Sequence, residues 1–103
     1  MSTVQGNAAE ERAVSFLEEQ GLSLCCRNYR TRRAELDIVM QDGETIVCVE
    51  VKYRKSRQFG QAVDFVTVKK LQRIQAAFAF YLLDNNLNPA STPLRIDVIA
   101  IDG

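Results

Sequence analysis

The sequence contains no histidine, and that absence removes several kinds of active site. Ser-His-Asp and Cys-His arrangements need an imidazole as the general base. Any catalysis must therefore be carried by carboxylates, lysine or tyrosine. Zinc ligation is also disfavoured, because the chain has three cysteines and no Cys-x-x-Cys pair.

The three cysteines do not suggest a disulfide framework. Their number is odd, and Cys25 and Cys26 are adjacent in a chain without a recognisable export signal. We expect Cys48 and one of the other two to be small core residues.

The chain also lacks a long hydrophobic run. No segment approaches the ~20 apolar residues that a membrane span needs, and the N-terminal segment is polar and acidic. At 103 residues the chain is too short for two independent cores. These features predict one cytoplasmic domain over residues 1–103 with no membrane contact.

Charge is balanced overall, with 13 basic and 13 acidic residues, but it is unevenly distributed. Eleven of the basic residues and only six of the acidic ones lie between Arg27 and Arg73. Such an arrangement suits a polyanion partner, because the acidic residues can hold cations while the flanking basic residues hold phosphates. The alternative is a solvated surface of mixed charge.

A β-hairpin is predicted over residues 34–53. Two apolar-rich runs flank Asp42-Gly43, a pair typical of the central positions of a tight hairpin turn. Pairing Gln41 with Glu44 across this turn places Asp37 opposite Cys48.

Alternation along these strands groups the charged side chains on one face: Glu35, Asp37, Glu50 and Lys52. The other face of the first strand is expected to carry Leu36, Ile38 and Met40. Asp37 lies one diagonal step from Glu50, within about 7–8 Å. Two acids so close need a positive partner, which is either Lys52 or a divalent cation such as Mg²⁺ or Mn²⁺. The alternative is a solvated face on which Asp37 blocks aggregation.

A helix is predicted over residues 3–20, with Gly21 at its end. Its buried stripe is expected to comprise Ala9, Ala13, Phe16 and Leu17. Glu10 lies at the edge of this stripe. Its carboxylate is either a surface charge or a fourth acid that reaches the hairpin from a helix packed beside it.

The remaining segments complete an α/β sandwich with the order αβββαβ. A strand over residues 22–26 precedes a basic loop over 27–33, and residues 54–61 form a second basic loop able to close over substrate. Residues 67–83 form a helix with Thr67 as N-cap and an apolar face comprising Val68, Leu71, Ile74, Phe78, Tyr81 and Leu82. Residues 94–101 form a strand expected to be buried on both faces, on which Arg95 and Asp97 can pair.

The order and spacing of several short motifs resemble those of the bacterial YraN-like family, a branch of the PD-(D/E)xK, or restriction-endonuclease-like, superfamily. These motifs are Gly6-Asn7-Ala8-Ala9-Glu10, Arg27-Asn28-Tyr29-Arg30, Ala34-Glu35-Leu36-Asp37-Ile38-Val39, Val49-Glu50-Val51-Lys52-Tyr53-Arg54, Phe59-Gly60, Lys70 to Ile74 and Arg95-Ile96-Asp97-Val98. The family usually has glycine where this chain has Ala34. The resemblance implies a central mixed sheet flanked by helices, with Asp37, Glu50 and Lys52 at the signature positions. Glu10 would correspond to the helix-borne acid of the archaeal Holliday-junction resolvase branch.

The activity implied by the resemblance is Mg²⁺- or Mn²⁺-dependent hydrolysis of phosphodiester bonds in DNA, including branched or structured forms. Catalysis would be carried by Glu10, Asp37, Glu50 and Lys52, with the three acids as metal ligands. The backbone would be held by Arg30, Arg32, Arg54, Lys55 and Lys70. Cleavage of both strands of a duplex by so small a protein favours a homodimer. The alternatives are a nucleic-acid-binding module without catalysis and a protein-interaction domain.

Overall fold

The computed structural model describes residues 4–32, 34–54 and 67–102 of the chain. Within these ranges the elements are α1 (Val4–Glu19), β1 (Ser23–Arg30), β2 (Glu35–Asp42), β3 (Thr45–Arg54), α2 (Val68–Asp84) and β4 (Leu94–Asp102). The strands form a mixed sheet in the order β1-β2-β3-β4, in which only β3 and β4 are parallel. This confirms the predicted α/β architecture and is consistent with a restriction-endonuclease-like arrangement.

The two helices cover opposite faces of the sheet. Along β3, Val47 and Val49 pack against α1, whereas Ile46 and Cys48 pack against α2. The alternation of side chains along a strand explains this division. The core therefore consists of two apolar layers, one on each side of the sheet.

The two central residues of the hairpin turn lie one position further along the chain than predicted. Asp42 pairs with Thr45, so the two central residues are Gly43 and Glu44. Gly43 has φ of 61°, and a positive φ at the first central position is the condition met by glycine in type II′ turns. The predicted pairing of Gln41 with Glu44, and hence of Asp37 with Cys48, is wrong. Because the register differs by two residues, the side chains of β3 keep their predicted faces.

Side chains do not alternate regularly between the two faces of the sheet near the end of β1 and the start of β2. Asn28 has φ of 58°, a left-handed conformation that asparagine tolerates better than most residues. Arg27 consequently contacts α1, whereas Tyr29, two residues later, contacts α2. In β2, Leu36 packs with the α2 layer and Ile38 with the α1 layer. The prediction that Leu36, Ile38 and Met40 share one face is therefore wrong for Leu36.

Strand β1 extends to Arg30, so residues 27–30 belong to the sheet rather than to the predicted basic loop. Strand β4 lies at one end of the sheet, and its residues 96–99 are only partly buried. The expectation of burial on both faces is wrong, because among the described residues the helices pack mainly over β1, β2 and β3 and leave the faces of this end strand partly open. The predicted pairing of Arg95 with Asp97 is confirmed at 3.0 Å.

The predicted N-cap of α2 is confirmed, whereas two residues that were predicted to lie on the apolar faces of the helices are exposed. Thr67 caps α2 by accepting a hydrogen bond from the backbone N–H of Lys70 at 3.1 Å, as predicted. Phe16 and Val68, assigned to the buried stripes, are 54% and 71% exposed. Each lies beside the stripe, at an angle where the helix surface turns away from the sheet. Neither described helix has the length and apolar character needed to cross a bilayer.

Candidate active site

An open pocket of about 410 Å³ lies where the ends of β2 and β3 meet the first turns of α2. Two carboxylates from the sheet, Asp37 and Glu50, line one wall of this pocket. Three basic residues from α2, Lys69, Lys70 and Arg73, also line the pocket, as does Glu35. The pocket therefore combines acids on rigid strands with cations on a helix.

The pairing between β2 and β3 runs from the turn as far as Ile38 with Val49. Asp37 and Glu50 are the next residues on each strand, and their side chains reach the same pocket. Burial, followed by repulsion from Glu50, Glu10 and Glu35, raises the pKa of Asp37 to about 6. Asp37 is thus held in a field of negative charge, which the attraction of Lys70 offsets only in part.

Glu50 is 3% exposed, and two lysines neutralise it. Lys52, two residues along the same strand, places its Nζ 3.3 Å from Glu50 Oε1. Lys70, from the first turn of α2, forms an ion pair with the same oxygen. Because a buried carboxylate without a partner is costly, these two amines explain how the sheet holds an acid at this depth.

The two lysines affect each other as well as Glu50. The pKa of Lys52 is lowered, first by burial and then by the hydrogen bond to Lys70, while Glu50 opposes the change. Burial also lowers the pKa of Lys70, but its hydrogen bonds to Glu50 and Lys52 leave it above the ordinary value. Lys52 is therefore the amine of the pair that gives up a proton more readily.

Glu10 approaches the site from α1 and is 7% exposed. It accepts a hydrogen bond from Arg27 at 3.1 Å, and its charge contributes to the raised pKa of Asp37. In the ranges that the structure describes, no three His, Cys, Asp or Glu side chains converge closely enough to hold a metal ion. The structure thus brings Asp37 and Glu50 into one pocket and pairs Glu10 with Arg27 beside it.

The predicted phosphate-binding residues have different surroundings. Arg30 forms an exposed ion pair with Glu35 at 2.6 Å, and Arg32 is exposed beside it. Lys70 lines the carboxylate pocket, where its side chain forms an ion pair with Glu50. The side chain of Arg54 and all of Lys55 lie outside the described residues, as does the predicted loop that follows β3.

Sequence reasoning missed three features of the site. Lys69 and Arg73 line the pocket, and their spacing of four residues along a capped helix was a usable signal. Arg27, assigned to a basic loop, is the partner of Glu10. That contact joins residues 17 apart on different elements, and no local pattern reveals it.

The donor set of the pocket fits a Mg²⁺ ion. Mg²⁺ is usually bound by one or two carboxylates together with substrate phosphate, and Asp37 and Glu50 face an open pocket with basic residues across it. The repulsion that raises the pKa of Asp37 would be relieved by a cation. The same basic residues, Lys69 and Arg73, suit the oxygens of a phosphate group.

Comparison with other sequences gives a consistent match over most of the chain. The family described as "Uncharacterised protein family UPF0102" matches residues 9–101. A UPF0102 protein of Colwellia psychrerythraea is 43% identical over 102 residues, which cover 99% of this chain and 79% of the relative. UPF0102 proteins of Pseudomonas fluorescens and Vibrio cholerae are 45% and 44% identical over 97 residues, which cover 94% of this chain and 80% of each relative.

Proposed function

This chain belongs to the uncharacterised protein family UPF0102, and from its carboxylate pocket we propose that it is a Mg²⁺- or Mn²⁺-dependent nuclease that hydrolyses phosphodiester bonds in DNA. We also propose that the family is a branch of the PD-(D/E)xK superfamily. The observation that carries the proposal is the meeting of Asp37 and Glu50 at one pocket lined by basic residues of α2, with Lys52 paired to Glu50.

Asp37 and Glu50 are the residues that would hold the cation. When bound there, a divalent cation supplies charge stabilisation at a phosphoryl oxygen and lowers the pKa of water. Glu10 lies outside that pair and acts on Asp37 through its charge. Arg27 holds Glu10 through an ion pair at 3.1 Å, so it keeps this charge near Asp37.

Lys52, beside Glu50, and the basic residues of α2 that line the pocket would bind the phosphate. Lys52 Nζ lies beside Glu50 with a lowered pKa, so it can donate a hydrogen bond or hold a proton close to the reacting phosphate. Lys69 and Arg73 face the acids from α2 and would bind non-bridging oxygens. Such contacts position a nucleic-acid backbone and do not select a base sequence.

Several finer points belong to the same proposal. The substrate is DNA in a branched or otherwise structured form, the protein works in the cytoplasm, and two copies act together on duplex substrates. The concentration of basic residues between Arg27 and Arg73 supports the polyanion partner.

A cleavage assay tests the proposal. Labelled single-stranded, duplex, flap and four-way DNA, together with RNA, would be incubated with Mg²⁺ or Mn²⁺. We expect cation-dependent cleavage of at least one DNA substrate, reduced by two or more orders of magnitude in Lys52→Ala, because general acid–base and electrostatic groups of this kind contribute roughly 10²–10⁴-fold.

The same assay separates the alternatives. Salt-dependent binding without cleavage would indicate a nucleic-acid-binding module. Absence of both would leave a protein-interaction domain. Cleavage that is as fast in Lys52→Ala as in the natural protein would exclude the pocket as the active site.

A further inference from the structure

A second groove of about 600 Å³ lies next to the carboxylate pocket, between the end of β1 and the outer face of α2. Phe80 and Ala76 of α2 and the ring of Tyr29 give it mostly apolar walls. Arg30 and Arg32 form its basic rim. An apolar floor edged by two arginines is unlike the carboxylate pocket, whose walls are charged.

Of the described residues that line this groove, Phe80 is the one that offers a free aromatic face. Its side chain is 57% exposed. Tyr29, in contrast, is held by a hydrogen bond from its hydroxyl to Asp84 at 2.5 Å and by an edge-on contact with Tyr81. Tyr29 therefore shapes the groove, whereas Phe80 can accept a flat ring against it.

The groove is continuous with the proposed active site. Arg30 lines the groove, and its partner Glu35 lines the carboxylate pocket, so their ion pair marks the boundary between the two. An exposed pair of this kind contributes little to stability, and a phosphate can compete for Arg30. On α2, Arg73 lines the pocket and Phe80 the groove, about 10 Å apart along the helix axis.

We propose that this groove binds an unpaired nucleobase of single-stranded DNA, stacked on Phe80, while the adjoining phosphates contact Arg30 and Arg32. The inference rests on the proposed function for the role of the neighbouring pocket. Aromatic faces bordered by positive charge are the usual means of holding single strands without sequence preference. A duplex keeps its bases stacked inside, so it cannot place one on Phe80.

The spacing limits which nucleotide is bound. About 10 Å of helix separates Arg73 from Phe80, and successive nucleotides of a B-form strand rise about 3.4 Å. The stacked base therefore lies within about three nucleotides of the phosphate in the carboxylate pocket. The substrate class that follows is DNA with a single-stranded segment beside the cleavage point.

Fluorescence anisotropy in EDTA tests this groove without any dependence on cleavage. A labelled single-stranded oligonucleotide and a duplex of the same length would be titrated with the natural protein, Phe80→Ala and Phe16→Ala. Phe16 is the matched control, because it is an equally exposed phenylalanine on α1, across the sheet from α2. We expect Phe80→Ala to weaken single-strand binding about 5- to 150-fold, with duplex binding unchanged and Phe16→Ala without effect.

A tryptophan at the same position gives an independent readout. The chain contains no tryptophan, so Phe80→Trp introduces a single fluorophore whose emission should change with single-stranded DNA and not with duplex. An abasic site at the stacked position should remove the difference between the natural protein and Phe80→Ala.

Three outcomes overturn the inference: no single-strand binding by the natural protein, equal single-strand binding by Phe80→Ala, or an equal loss in Phe16→Ala. Its failure is distinguishable from failure of the proposed function. Single-strand binding that needs Phe80 but is never accompanied by cleavage supports the groove and removes the nuclease. Cleavage by the natural protein, together with single-strand binding that is unchanged in Phe80→Ala, supports the nuclease and removes the groove.

Discussion

Replacing Asp37 with asparagine is expected to stabilise the folded protein at neutral pH. Burial and the neighbouring carboxylates raise the pKa of Asp37 from 3.8 to about 6. The folded state therefore binds this proton more tightly than the unfolded chain does. The favourable contribution of the protonated acid is fully present below pH 3.8 and is lost as pH rises through about 6. At pH 7.5 the ionised group is a net penalty.

The size of the penalty follows from the same two pKa values. A rise from 3.8 to about 6 corresponds to about 3 kcal/mol. Asp37 lines an open pocket, and solvent screening reduces this figure to about 1 kcal/mol. Asparagine keeps the shape of the side chain and carries no charge. We therefore expect a gain of about 1 kcal/mol at pH 7.5, which shrinks as the pH is lowered towards 4.

Urea denaturation followed by circular dichroism at pH 7.5 and at pH 5 measures this gain. Asp97→Asn is the matched control, since Asp97 accepts hydrogen bonds from Arg95 at 3.0 and 3.1 Å and should gain nothing from neutralisation. A loss of stability in Asp37→Asn at pH 7.5 would refute the reasoning. A gain of the same size at both pH values would also refute it, because the effect would then be independent of ionisation.

Three further substitutions test the contacts that build the site. Arg27→Met should destabilise the protein by about 3 kcal/mol, because it leaves Glu10 buried without a partner, and adding Glu10→Gln should recover most of the loss in a urea titration. Thr67→Ala should cost about 1 kcal/mol through loss of the α2 N-cap, whereas Thr67→Ser should be nearly neutral. Gly43→Ala should cost about 1 kcal/mol in thermal unfolding, because φ at this position is 61°, and Gly43→Asn should cost less.

The parts of the fold that sequence reasoning predicted are those governed by local rules. Helix α2 repeats its apolar residues with helical spacing, and Thr67 marks its start. The three strands β2, β3 and β4 stand out as apolar runs. The pairing of β2 with β3 was placed two residues away from its true register, because Asp42-Gly43 and Gly43-Glu44 are both plausible central pairs of a turn.

The parts that could not be predicted depend on one backbone conformation and on contacts between distant elements. The left-handed conformation of Asn28 places Arg27 and Tyr29 on opposite faces of the sheet, although they are two residues apart in one strand. The sequence does not reveal this conformation, because asparagine adopts ordinary backbone conformations far more often than the left-handed one. The ion pair of Lys70 with Glu50 joins α2 to β3 across 20 residues of sequence. Its existence depends on how the helix packs on the sheet, which no periodicity specifies.

The binding of a divalent cation tests the central claim most directly. Mn²⁺ and Mg²⁺ would be titrated calorimetrically into the natural protein, Asp37→Asn, Glu50→Gln and the control Asp97→Asn, with folding checked by circular dichroism. The account predicts saturable binding in the natural protein and the control, and a loss of at least tenfold in affinity in each of the two pocket variants. Cation binding that survives both Asp37→Asn and Glu50→Gln unchanged would contradict it.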